Sequence, residues 1–311
     1  AEMQERELQQ PLPAADAERY LTKIDTGPPD GALSAVFQML EAAERPVILA
    51  GRLSRSSEAW AERIALAERF GAKVITDLKV AAAFPTDHPL YAGDLRGQNG
   101  AAARDVFTQA DLVLALDWVD LAGALKAAFG RNEPPCRIVR VTLDHQLHNG
   151  WSMDHQAHPA ADIAIGCEPD RFVSALLARS GRAAPMLLPR PSPAREPAAS
   201  SGRSITVAKI AAALRQALDD QPACLTHVTL SWDGSFWPFR HPLDYLGSDG
   251  GGGIGAGPGH AVGAALALRD MKSDRIPIAI CGDGDFVMGI TALWTAVHYR
   301  IPLLVIVANN R

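Results

Sequence analysis

Two loops near the end of the 311-residue chain carry groups that could hold a metal ion and phosphates. A Gly-Asp-Gly triplet at 282–284 follows the apolar run 276–281, whose shortness and β-branched residues predict a buried strand. The run 303–307 predicts a second strand, and two asparagines soon follow it, the second being Asn310. Because the carboxyl ends of parallel strands hold ligands, we expect Asp283 and Asn310 to lie side by side. Their carboxylate and amide oxygens are hard ligands, which Mg²⁺ prefers when it also holds substrate phosphates.

Backbone groups around the triplet add donors for an anion. The segment 288–299 has apolar residues at helical spacing, so the region predicts a β-turn-α-β unit. The N–H groups of the glycine turn and of the helix start can bind phosphates. The residue after the triplet is Asp285, whose carboxylate would repel a phosphate at close range. We expect this side chain to cap the helix, which leaves the Gly284 and Asp285 amides facing the anion.

The triplet, the 24 residues 285–308 and the paired asparagines resemble the signature of thiamine diphosphate-dependent enzymes. The resemblance implies that Asp283 and Asn310 bind Mg²⁺ through their side chains. It implies a further ligand from a backbone carbonyl at position 312, one residue past the last one in this chain. Gly282, Gly284 and Asp285 would then contact the diphosphate, although many relatives have serine or another small residue at the last of these positions.

A second glycine-rich stretch, 247–259, precedes an apolar helix predicted over 261–268. It contains a G-x-G-x-x-G pattern, but it follows an aromatic loop rather than a strand, so the match to a dinucleotide loop is weak. The stretch is similar instead to the glycine-rich turn of thiamine enzymes, where the backbone approaches the cofactor. The resemblance implies cofactor contacts from Gly253, Ile254 and Gly255. Ile254 would lie under the cofactor and force its two rings into the bent form.

The loop that precedes this stretch is unusually aromatic. Such side chains can wall an apolar pocket or fill a core, and the sequence favours neither interpretation. The aromatic residues are Trp232, Phe236, Trp237, Phe239 and Tyr245.

Composition excludes several classes of protein. A net charge of −5 and a pI near 6.0 argue against nucleic acid or an anionic membrane as partner. No apolar run reaches the 18 or so residues of a membrane span, and the charged first residues are not a secretory signal. The four cysteines are far apart, which is typical of reduced core cysteines in a cytoplasmic protein.

The first half of the chain alternates strands with helices, which predicts a parallel sheet. The predicted strands are 46–51, 73–76, 111–116, 137–143 and 163–165, and the predicted helices are 31–44, one ending at Gly71, and 121–129. The region is similar to the central domain of acetolactate synthase-like enzymes, some of which bind FAD or ADP there. No G-x-G-x-x-G follows Gly51, so the serines and arginines of 52–57 either hold a diphosphate or cap the next helix.

These patterns predict an α/β protein with two doubly wound parallel-sheet domains. A Rossmann-like central domain would span 31–179, a proline-rich linker 180–204, and a truncated thiamine diphosphate-binding fold 205–311. Residues 1–30 would be a lead-in from a pyrimidine-binding domain that this sequence does not contain.

The resemblance implies a thiamine diphosphate- and Mg²⁺-dependent enzyme that decarboxylates 2-oxo acids or joins them to a second carbonyl compound. The family's catalytic glutamate lies in the pyrimidine-binding domain of a partner subunit, within a homodimer or homotetramer. We therefore expect no catalytic residue of that kind in this chain and an inactive isolated chain. Two alternatives stay open: a non-catalytic FAD- or ADP-binding or assembly module, and a nicotinamide-dependent dehydrogenase.

Overall fold

A computed structural model describes residues 27–95, 100–130, 132–144, 159–179, 205–248 and 253–309. The helices are α1 Asp30–Ala42, α2 Ser57–Phe70, α3 Gly100–Thr108, α4 Leu121–Phe129, α5 Pro169–Arg179, α6 Val207–Leu218, α7 Ala256–Asp270, α8 Asp283–Gly289 and α9 Ala292–His298. The strands are β1 Pro46–Ala50, β2 Lys73–Thr76, β3 Tyr91–Asp94, β4 Leu112–Leu116, β5 Arg137–Val141, β6 Ile163–Ile165, β7 Ala223–His227, β8 Ile276–Gly282 and β9 Leu304–Ala308.

The larger sheet has six parallel strands in the order β3-β2-β1-β4-β5-β6. Its central strands, β1 and β4, are buried at every residue, as expected for apolar runs covered on both faces. One face packs against α1, α2 and α5 and the other against α3 and α4. This confirms the predicted doubly wound α/β sheet. The predicted linker 180–204 lies outside the described residues.

The smaller sheet has three parallel strands in the order β7-β8-β9, with the most buried strand, β8, in the middle. Thr206 caps the first helix of this domain, because its side chain accepts a hydrogen bond from the Lys209 N–H at 3.3 Å. The prediction of one helix over 288–299 was wrong. Helix α8 begins at Asp283 directly after the strand, and α9 is separate. Acidic Asp283 and Asp285 in the first turn of α8 favour that early start.

The aromatic loop 228–248 joins the two sheets. Its five large rings are buried and pack against Trp60 and Ala82 from the larger-sheet region. The Ala82 N–H donates to the Tyr245 carbonyl at 2.9 Å, and the Tyr245 hydroxyl donates to the Leu78 carbonyl at 2.7 Å. Of the two interpretations left open by the sequence, the structure favours core over pocket wall, since the rings face the other sheet's connecting segment.

Substitution of Gly247 by alanine tests how tightly this junction packs. Gly247 has φ +91°, and an added Cβ would lie 2.9 Å from the Ala81 nitrogen and 3.0 Å from the Val80 carbonyl carbon. We expect the free energy of unfolding, measured in urea, to fall by about 2–4 kcal/mol. The matched change Gly263→Ala, in α7 with nothing within 4 Å, should instead raise it by about 0.5–1 kcal/mol. Equal effects of the two substitutions would contradict the packing argument.

Candidate cofactor site at the carboxyl edge of the second sheet

The two loops that the sequence predicts to share a metal ion do begin next to each other. Strands β8 and β9 are parallel and pair Gly282 with Ala308, so Asp283 and the asparagines start from adjacent positions at one edge. Asp283 is half-buried, and it makes no hydrogen bond or ion pair with another described residue. Asn310 lies outside the described residues. The backbone therefore agrees with the predicted pairing of the loops, and the ligand role of both side chains stays a prediction.

The glycine-rich turn reaches the same edge. Gly255 has φ +98° and directly precedes α7, and Ile254 is 64% exposed in front of it. An apolar side chain this exposed beside a glycine turn is open to a ligand, as the resemblance implies for Ile254. Gly253 has nothing within 4 Å of the position that a Cβ would occupy. The two glycine centres of the sequence thus lie together in the fold.

Asp285 connects the two centres. Its Oδ1 accepts hydrogen bonds from the Gly255 N–H at 2.7 Å and from the Gly257 N–H at 3.3 Å. The prediction that Asp285 caps its own helix was wrong, because the N-terminus of α8 has no side-chain cap and the carboxylate caps α7 instead. Oδ1 of the carboxylate is thus satisfied by two amide donors of the glycine-rich turn.

The second carboxylate oxygen of Asp285 faces a histidine that the sequence analysis did not single out. His227 ends β7, and its Nε2 lies 3.1 Å from Oδ2, without the alignment of a hydrogen bond. The signal was present in the sequence, since the segment 223–228 has the residues of a strand and His227 falls near its carboxyl end, as the Gly-Asp-Gly triplet follows another strand. The same rule that selected Asp283 would have selected this residue.

Cys281 lies behind this pair. The Cys281 Sγ, a ring nitrogen of His227 and a carboxylate oxygen of Asp285 all lie within 4.8 Å of one another. Burial, and then the nearby Asp285 carboxylate, raise the pKa of the Cys281 thiol to about 12. The thiol is thus protonated near neutral pH and is not a nucleophile there.

Replacement of Gly257 by alanine should separate the pair. An added Cβ would lie 2.0 Å from Asp285 Oδ2 and 2.7 Å from His227 Nε2, so one side chain must move. We expect a loss of about 1–3 kcal/mol in the free energy of unfolding and a shift of the His227 ring resonances in NMR spectra. Gly259→Ala, two residues along the same helix with nothing within 4 Å, should neither lower the free energy of unfolding nor shift the His227 resonances. An unshifted His227 resonance in the first variant would contradict the described contact.

The carboxyl edge of the larger sheet is arranged differently. Arg52, one candidate to hold a diphosphate there, forms ion pairs with Asp117 and Asp144, and its Nη2 donates to Asp117 Oδ1 at 2.9 Å. Ser56 accepts from the Ala59 N–H at 3.2 Å and so caps α2, as the capping alternative predicts.

Trp118 lines a cavity of about 220 Å³ together with residues of α3 and α4. It is smaller than the roughly 300–1,000 Å³ of typical ligand pockets. At this edge, therefore, Arg52 is paired with carboxylates, and the cavity lined by Trp118 is smaller than a typical nucleotide pocket. Among the helices of the described ranges, none is long and apolar enough to cross a membrane.

Comparisons with known proteins agree with this site. The family model for the central domain of thiamine pyrophosphate enzymes matches residues 33–162, and the model for their C-terminal cofactor-binding domain matches 229–311. The chain is 28% identical to a sulfoacetaldehyde acetyltransferase of Alcaligenes xylosoxydans xylosoxydans over 91% of its length and 51% of the relative's. It is 27% identical to the acetolactate synthase isozyme 1 large subunit of Escherichia coli K12, over 88% of this chain and 47% of that one.

Solved structures show the same likeness. The thiamine diphosphate-dependent 4-hydroxybenzoylformate decarboxylase of Rhodococcus jostii RHA1 superposes with a TM-score of 0.71 at 25% identity. The match covers 96% of this chain and 55% of that one. The chain thus spans about half the length of the curated relatives that it matches.

Proposed function

Because the chain belongs to the thiamine pyrophosphate-dependent enzymes, we propose that it forms the central and cofactor-binding part of an enzyme that uses thiamine diphosphate and Mg²⁺ to act on 2-oxo acids. One observation carries the proposal: the Gly-Asp-Gly turn, the glycine-rich turn and the end of β9 converge on one edge of the second sheet. That edge is where parallel sheets bind ligands.

The residues present fit the cofactor and its metal. Asp283 offers a carboxylate that no other described residue engages, which suits a hard cation. Gly253 and Gly284 leave open space where a side chain would stand, so a phosphate could approach their backbone closely. Asp283 and Asn310 would hold the Mg²⁺, and the turns at Gly253–Gly255 and Gly282–Asp285 would hold the diphosphate and the rings.

Each part of the chain has a separate task in this proposal. Thiamine diphosphate, when bound, supplies the electron sink that permits loss of CO₂ from a 2-oxo acid. Ile254 sets the cofactor's ring orientation from below, and Asp285 fixes the distance between the two turns through Gly255 and Gly257. The buried aromatic loop packs against Trp60 and Ala82 and so connects the second sheet to the larger-sheet region. The chain therefore positions the cofactor, while the glutamate-bearing domain completes the chemistry.

That second domain is best sought in a partner subunit. Helices α8 and α9 present an exposed apolar surface, and exposed patches of this kind mark interaction sites. Its exposed residues are Val287, Met288, Ile290, Trp294 and Val297. We propose that a pyrimidine-binding domain of a second subunit covers this surface in a cytoplasmic homodimer or homotetramer, with no nucleic acid or membrane as partner.

The names of three relatives bear on the reaction class. A sulfoacetaldehyde acetyltransferase and an acetolactate synthase are named for group transfer or synthesis, and the Rhodococcus jostii protein is named for decarboxylation of a 2-oxo acid. A lyase or transferase that acts on a carbonyl compound is the assignment that fits all three names, and the proposed 2-oxo acid substrate rests on the decarboxylase.

The test uses the complete protein that carries this chain. It should release CO₂ from pyruvate or benzoylformate only when thiamine diphosphate and Mg²⁺ are both present, and dialysis against EDTA should abolish the release. The chain 1–311 alone should give none under the same conditions. Cofactor-independent release, or full activity of the isolated chain, would contradict the proposal.

Nucleotide binding is a separate question with its own measurement. Calorimetric titration with FAD, ADP and NADH in the absence of Mg²⁺ distinguishes an assembly module or a dehydrogenase from the proposed enzyme. Because Arg52 is already paired with Asp117 and Asp144, we expect no nucleotide to bind at this edge.

A further inference from the structure

His227 and Asp285 form a pair at the proposed site that the family signature does not use. His227 is the last residue of β7, and Asp285 lies in the first turn of α8, which directly follows β8. Both side chains are mostly buried, with 14% and 16% of their surface exposed. They are held at the carboxyl edge by two neighbouring parallel strands, so the pair is fixed relative to the glycine turns.

The orientation of the ring leaves one nitrogen for a ligand. Nε2 faces Asp285 Oδ2 at 3.1 Å, whereas Nδ1 makes no hydrogen bond with any described residue. Asp285 itself cannot turn away easily, because its other oxygen accepts the Gly255 and Gly257 N–H groups. A carboxylate on one nitrogen and an open second nitrogen is the arrangement that lets a histidine exchange protons with a substrate.

The groups around the ring support this use. Asp285 faces it from α8, the protonated Cys281 thiol faces it from β8, and α7 presents the backbone of Gly257. The Asp285 carboxylate is the charged group that pairs with the ring in the described structure. Because 14% of the His227 side chain is exposed, water can reach the ring and return a proton to it.

We propose, resting on the proposed function, that His227 is a proton-transfer residue for the 2-oxo acid and that Asp285 is its positioning residue. As negative charge develops on the substrate's carbonyl oxygen, the imidazolium gives that oxygen the proton from Nδ1. The ring becomes neutral imidazole and regains a proton from water. The step transfers one proton and oxidises or reduces nothing, and Asp285 neither gives nor takes that proton.

The test compares His227→Gln with wild type in the complete protein. We expect kcat to fall about 100-fold, while KM and the Kd for thiamine diphosphate change less than threefold. The pH–rate profile of the variant should lose one of its limbs. Added imidazole should restore part of the rate in His227→Gly. Asp285→Asn should lower kcat and weaken that rescue, since it acts through the ring.

A second histidine–carboxylate pair gives the control. His88 Nε2 lies 3.2 Å from Glu68 Oε1 in the larger-sheet region, and His88→Gln should leave kcat unchanged. Three results would overturn the inference: a kcat of His227→Gln within threefold of wild type, a matching loss of cofactor affinity, or no rescue by imidazole. An inactive wild-type protein would instead overturn the proposed function on which the inference rests.

Discussion

Replacement of Asp283 by asparagine should weaken Mg²⁺-dependent binding of thiamine diphosphate about 100- to 1,000-fold, or about 3–4 kcal/mol. The substitution keeps the size of the side chain and removes its charge, which is the property that a hard divalent cation requires. Asp285 cannot take over the role, because its Oδ1 is engaged by Gly255 and Gly257 and its Oδ2 faces His227. Calorimetric titration of the cofactor at fixed Mg²⁺ measures the effect.

Two controls separate binding from folding in this experiment. Asp283 makes no hydrogen bond or ion pair with another described residue, so the free energy of unfolding without cofactor should stay within about 0.5 kcal/mol of wild type. Asp270→Asn removes the same charge at the exposed end of α7 and should leave the cofactor Kd unchanged. If the Kd for thiamine diphosphate at fixed Mg²⁺ is unchanged in Asp283→Asn, Asp283 is not a ligand of the metal.

Replacement of Asp170 by alanine should lower the free energy of unfolding by about 3–5 kcal/mol. Its partner, Arg63, is 3% exposed and donates to Asp170 Oδ1 at 2.7 Å and to the Ala83 carbonyl at 3.0 Å. Burial lowers the pKa of Arg63, and Asp170 opposes that shift. Without the carboxylate, a guanidinium is left buried and unpaired between α2 and α5. Urea or thermal unfolding of the isolated chain measures the loss.

The double variant Arg63→Met/Asp170→Ala provides the internal check. Since it removes the buried charge together with its partner, it should be more stable than Asp170→Ala alone. Asp87→Ala, which breaks an ion pair with exposed Arg240, should cost no more than about 1 kcal/mol. If the Asp170 and Asp87 variants lose the same stability, burial does not control the strength of the Arg63 pair.

Residues with strong local signals were predicted closely. The strand 73–76, the helix 121–129 and the strand 163–165 have the predicted bounds, and Ser56 caps its helix. The placement of Asp283 beside the end of β9 also followed from sequence, because parallel neighbouring strands bring their carboxyl ends to one edge. These predictions required only periodicity, capping chemistry and one rule of topology.

Other elements were missed for identifiable reasons. Strand β3, Tyr91–Asp94, has no apolar run, and it is defined by its pairing with β2 rather than by its own residues. The helix α5 carries a usable signal, with Phe172, Val173 and Leu176 on one buried face, that the sequence analysis did not use. The bond from Asp285 to Gly255 joins residues 30 positions apart. No local pattern encodes that contact, because it depends on how two turns meet after the sheet forms.

The junction between the sheets limits how such enzymes can be recombined. Thr86 and Phe239 exchange hydrogen bonds, the Phe239 N–H donating to the threonine hydroxyl at 2.8 Å and the Thr86 N–H to the Phe239 carbonyl at 2.9 Å. Substitutions in segments 77–89 and 228–248 should therefore be energetically coupled, although about 140 residues of chain separate the two segments. A chimera that takes its second sheet from one homologue and its larger sheet from another should fold stably only when both of these segments come from the same parent.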